Sequence, residues 1–149
     1  MATHHRLPTL AYLVSAYPAI SHTFILREIQ QLRALGQHIV TASINRADRA
    51  PEAMDLAERN EANQTYVVKQ HGVAGALMAL LFWLRQAPLP LLAMLAFSLR
   101  LRSGGKAWWS GLAYGVEAAM VARWMRREGA RHLHVHFGNA GASVGVLVK

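Results

Sequence analysis

The spacing of apolar and polar positions divides the chain into short runs. Residues 9–14 are almost wholly apolar, the pattern of a strand buried on both faces of a parallel sheet. From Ser21 the period changes: Ile25, Ile29, Leu32 and Leu35 recur every three or four positions, while Arg27, Glu28, Gln30, Gln31 and Arg33 point elsewhere. A helix is predicted there, with Ser21 or Thr23 able to cap its start and Gly36 its end. Residues 38–44 read as a second strand. Strand, helix and strand thus follow one another with tight connections, as in a right-handed parallel βαβ unit.

Residues 45–63 are polar and charged; Pro51 opens a short predicted helix through Asn60, and 64–69 forms a third strand. Two apolar stretches come next, 73–84 and 91–99, separated by Arg85, Pro88 and Pro90. Neither reaches the roughly 20 residues that a membrane-spanning helix needs. Joining them would bury Arg85 near a bilayer centre at a cost of ~2.5–3.5 kcal/mol on insertion scales. Two helices broken around the prolines are therefore expected, as a hairpin in the core or at a membrane surface. A longer helix over 106–128 puts Leu112, Val116, Ala119, Met120 and Trp124 on one side and carries Arg123, Arg126 and Arg127 near its end, where cations suit the helix dipole. Gly129 ends it. Alternation over 131–137 predicts a fourth strand with His132, His134 and His136 on one face, and Gly138 and Asn139 turn the chain into a small-residue helix. The expected fold is α/β, one domain with a parallel sheet flanked by helices and a helical insertion at about 72–129.

Composition narrows the partners. Hydrophobic residues at 53% against 16% charged exclude a disordered tail. The absence of cysteine excludes disulfides, thiolate metal sites and a Cys nucleophile. His4, His5 and Arg6 precede an apolar run too short for a signal-peptide core, so export is not expected. A formal charge of +8 favours an anionic partner. Nucleic-acid readers usually interleave bases with aromatics on a loop or helix face, whereas the bases here fall mainly in 100–106 and 123–131 beside long apolar runs, which speaks against nucleic acid. Arg100, Arg102, Lys106, Arg126 and Arg127 fit attachment to anionic lipid, and a solvated helix face explains them almost as well.

Ligands of an open parallel sheet bind beyond the carboxyl ends of its strands. Two segments occupy that place: residues 15–24, Ser-Ala-Tyr-Pro-Ala-Ile-Ser-His-Thr-Phe, at a helix start suited to a phosphate or a sugar hydroxyl, and residues 134–141, which end the last strand. Two histidines at the spacing of His134 and His136 serve some metal-dependent hydrolases. Those sites need further His and Asp ligands on later strands, so no metal is expected; histidines that only hydrogen-bond neighbouring loops are the plainer alternative.

Together the two segments bring a resemblance. The stretch 12–36, with Tyr17-Pro18, then Ser21-His-Thr-Phe24, then Arg27-Glu-Ile29, resembles the opening of family 4 glycosyltransferases related to the colanic-acid and exopolysaccharide enzymes. The segment 132–138, His-Leu-His-Val-His-Phe-Gly, resembles the same family's His-Ile-His-Ala-His-Phe-Ala. His22 stands where relatives commonly carry Glu, and Gly138 where many carry Ala. The resemblance implies the N-terminal, acceptor-side Rossmann-like domain of a GT-B enzyme, with the donor-binding domain absent from 1–149. It implies retaining transfer of a sugar from a nucleotide-diphosphate sugar to a glycan or lipid-linked acceptor, without metal or other cofactor, in the cytoplasm or at the inner face of the cell membrane. By the same resemblance Ser21, His22, Thr23, His136 and Asn139 would line the cleft, with His134 supporting them. A non-catalytic membrane-surface or interaction module and a piece of a metal-dependent hydrolase are the alternatives.

Overall fold

Strands β1 (Leu10–Ala16), β2 (Ile39–Asn45), β3 (Tyr66–Val67) and β4 (His132–Val135) form one all-parallel sheet in the order β3-β2-β1-β4. The structure is a computed structural model and describes residues 7–101, 109–136 and 140–148; Arg102, Lys106, Phe137, Gly138 and Asn139 fall outside them. Leu10 pairs with Ile39 on one side and with His132 on the other, so β1 is the strand from which the chain leaves in both directions. Helices α1 (Thr23–Ala34) and α2 (Leu56–Gln64) follow β1 and β2. Helices α3 (Gly72–Gln86), α4 (Pro88–Ser98) and α5 (Trp109–Glu128) fill the insertion between β3 and β4, and α6 (Ala140–Val148) follows β4. The architecture is a Rossmann-like α/β fold.

Period-two alternation sends the strands' side chains to two separate cores. Tyr12, Val14 and Ile39 pack with Tyr17 under Ile25, Leu26 and Ile29 of α1. Ala11, Leu13, Ala42 and Ile44 pack on the other face against a larger group from α5 and α6 that includes Val121, Trp124 and Val144. Both α1 and α5 end in the same way. Gly36 (φ 89°) and Gly129 (φ 68°) adopt the left-handed conformation, and Gln37 N–H and Ala130 N–H reach back to the Leu32 and Met125 carbonyls at 3.0 and 2.9 Å.

Three expectations change. Neither Ser21 nor Thr23 caps α1: a single tight turn, Ile20–His22, precedes it, and His22 holds the cap position without a side-chain cap bond. The helix expected from Pro51 is two pieces, a turn Pro51–Ala53 and then α2, because Asp55 and Glu58 form a reciprocal capping box that starts the helix afresh. The third strand keeps only Tyr66 and Val67. Thr65 still belongs to the end of α2, its hydroxyl donating to the Glu61 carbonyl at 2.8 Å, and Val68–His71 winds into a tight turn.

The break near the prolines is as predicted. It falls at Ala87, and Pro88 occupies the first position of α4, where its missing N–H leaves no bond unmade. Helix α4 approaches α5 closely because Gly111 and Gly115 lack side chains: a Cβ on Gly115 would stand 2.8 Å from the Ser98 hydroxyl, and one on Gly111 would strike the Ser98 carbonyl.

Candidate functional site

The chain leaves β1 for β2 and β3 on one side and returns to β4 on the other, so the carboxyl ends of β1 and β4 border the topological switch point of the sheet. The loop after β1 is held there by β2 and the segment behind it. Tyr17 N–H donates to the Ser43 hydroxyl at 2.9 Å, Asn45 Nδ2 to the Ser15 carbonyl at 2.8 Å, and Ile20 N–H to Asp48 at 2.8 Å. Fixed in this way, the loop delivers His22, whose Nδ1 lies 3.0 Å from the Ala16 carbonyl at the end of β1.

Across the switch point, β4 contributes His134 and His136 from the face that α1 covers. Because Tyr12 pairs with His134, the Tyr12 ring packs beside both: 4.8 Å from the His134 ring and 5.7 Å from the His136 ring. The two imidazoles meet edge to face at 4.6 Å, and Phe24 of α1 meets His136 edge-on at 5.9 Å. One turn further along α1, Glu28 accepts a hydrogen bond of 2.6 Å from the Tyr12 hydroxyl and turns its second oxygen to within 3.6 Å of His136 Nε2.

The electrostatics decide what kind of contact the last one is. Burial, then the neighbouring His134, lower the pKa of His136; Glu28 opposes this and His22 adds to it. The net shift is downward, so at neutral pH a neutral imidazole, not an imidazolium, stands beside the carboxylate. Burial first, and the hydrogen bond and charge of Glu28 after it, push the Tyr12 phenol up, so it remains a donor throughout the physiological range.

Of the residues expected in the site, the structure brings His134 and His136 together, while His22 is turned to the Ala16 carbonyl and acts on His136 through its charge. Ser21 and Thr23 flank His22 and are exposed. Asn139 lies outside the described residues. Tyr12, Phe24 and Glu28 were not anticipated. The side-chain donor atoms of Glu28, His134 and His136 lie within 4.8 Å of one another, and two imidazoles with a carboxylate are a donor set that suits a transition metal ion. The same groups suit sugar hydroxyls: a neutral imidazole both donates and accepts, and a carboxylate accepts. A cavity of about 190 Å³ lies on the opposite face of the sheet, between Trp83, Leu91, Met94, Ala118 and Leu147. Among the described residues its lining holds no titratable side chain.

No family model, no curated protein and no solved structure matches this chain. Fold and site define it only by class, as a Rossmann-like α/β chain with a histidine-rich cluster at its switch point.

Proposed function

We propose that this chain is the acceptor-side part of a retaining glycosyltransferase that moves a sugar from a nucleotide-diphosphate donor to a glycan or lipid-linked acceptor. The observation that carries the reading is the convergence of His134 and His136 from β4 with Glu28 from α1, at the carboxyl end of β4. In this reading His136 and Glu28 bind acceptor hydroxyls. Tyr12 fixes the Glu28 carboxylate through its 2.6 Å bond, and His134 holds the imidazole of His136 against rotation by edge-to-face packing. Ser21 and Thr23, exposed on either side of His22 at the start of α1, offer hydroxyls to a phosphate or a sugar in this reading. The transfer step itself rests on groups of the donor-binding domain, and the part played by this chain is positioning.

The test is sugar transfer by the enzyme that contains this chain. His136→Ala is expected to lower kcat/KM at least about tenfold with the thermal midpoint held near that of the parent, and His132→Ala, exposed at the start of β4, to change neither. Equal activity of the His136 variant would overturn the assignment. The metal-binding geometry of Glu28, His134 and His136 supports a second reading, a metal-dependent hydrolase. Activity abolished by a chelator and restored by zinc would replace the first reading with the second.

A further inference from the structure

Helices α3 and α4 are apolar on both sides. They meet α5 through small or buried positions, Gly75 and Ala79 on α3 and Leu91 and Ser98 on α4. Their opposite side shows Val73, Leu77, Leu81 and Leu84 at spacings of one helical turn, continued by Leu89 and Leu92 on α4. Val73 and Leu89 are each 76% exposed. Single exposed leucines are ordinary, but a stripe that runs the length of one helix and passes onto the next is a surface that water does not favour. A helix apolar all round is one that something covers.

The charges around the stripe select the cover. No acidic residue occurs between Glu61 and Glu117, while Lys69, Arg85 and Arg100 lie in that interval. Arg85 stands exposed at the end of α3 and Arg100 just past α4. On the flank, the guanidinium groups of Arg123 and Arg126 lie 5.7 and 5.5 Å from the centre of the Phe82 ring. Among the described residues no helix is long and apolar enough to cross a membrane. An apolar face with exposed arginines at its ends, on helices too short to span, is the make-up of a segment that lies in the plane of a bilayer, its leucines among the acyl chains and its arginines at anionic headgroups.

We infer that the outer face of α3 and α4 seats this chain on a membrane surface rich in anionic lipid. The inference does not depend on glycosyl transfer. The histidine cluster lies on the other face of the sheet, under α1, so the seated chain keeps it away from the lipid.

The experiment is co-sedimentation of the full chain with phosphatidylcholine vesicles, with and without phosphatidylglycerol, alongside sedimentation velocity without lipid. Binding is expected to the anionic vesicles and to weaken with salt. Leu77→Glu with Leu81→Glu should lower the partition coefficient at least about tenfold, since both side chains leave the acyl region. Leu56→Glu, at a 73% exposed leucine on α2, should not lower it. Arg85→Gln with Arg100→Gln should reduce the preference for phosphatidylglycerol. All these positions are exposed, so the thermal midpoint reports whether each variant folds. Failure of the parent to bind either vesicle, or undiminished binding of the double Glu variant, would overturn the inference. So would a dimer that the same two substitutions dissolve, since the face would then be an interface between copies.

Discussion

On one face of the sheet, α1 covers Tyr12, Val14 and Ile39 and turns Arg27, Gln30 and Gln31 outward. On the other face α5 covers Leu13 and Ala42, α3 and α4 cover α5, and the outermost surface is again leucine. The first face is completed by water after a single layer. The second adds a layer and ends still apolar, which identifies it as the face that contacts something other than water. The means of attachment differ as well. On the α1 face a polar network does much of the fastening: Arg33 reaches Glu61 at 2.6 Å and the Ile39 carbonyl at 3.0 Å, and Thr41 donates to Glu61 at 3.0 Å. On the other face close backbone approach does it, at Gly111 and Gly115.

The comparison can be broken at its polar end first. Arg33→Ala leaves the Glu61 carboxylate, 5% exposed, with the Thr41 hydroxyl but no cation, and should cost about 3 kcal/mol in a urea titration. A loss no larger than that of an exposed charge, such as Arg27→Ala, would show that the α1 face is held by its apolar contacts alone. Gly111→Leu should cost about 2 kcal/mol, because the added side chain pushes α4 off α5 at Ser98. Fluorescence of the tryptophans against denaturant reads that loss, and an unchanged midpoint would mean that α4 is not fastened there.

The smallest effect sharpens the contrast through pH. Glu117 of α5 has its pKa raised by burial, with Lys69 at 3.9 Å opposing only in part. A carboxyl whose folded pKa lies above its unfolded value favours the fold most in acid, and that contribution is lost as pH rises through the folded pKa. Glu117→Gln should therefore raise the melting temperature by about 2 °C at neutral pH and leave it unchanged at about pH 4. A lower melting temperature at neutral pH would mean that the Lys69 contact outweighs the burial.

The apolar run of 9–14, the strand-like segment 38–44 and the helical period after Ser21 are properties of short segments, and so the βαβ opening was legible in the sequence. So was the break at the prolines, since proline acts locally. The brevity of β3 was not, because Thr65 is claimed by a hydrogen bond back into α2, and no period in the sequence reports that competition. The site was half legible. His134 and His136 announce themselves by spacing, whereas Glu28 reads as one more polar position on the outer side of α1. Its role depends on the register that sets Tyr12 beside His134, a pairing between distant parts of the chain. Tyr12 likewise reads as a core aromatic until its hydroxyl is seen to hold Glu28.

That register also governs the order in which the molecule can assemble. β1 meets β2 after a short excursion of the chain, and α3, α4 and α5 pack with near neighbours in sequence. β1 meets β4 only when Leu10 closes on His132, a loop that takes in most of the chain and carries the largest closure entropy of the strand pairings in the sheet. The histidine cluster is built across that last seam. A variant that weakens the β1–β4 pairing should lose the cluster while its helices remain formed, so helical content alone is no measure of whether the site exists.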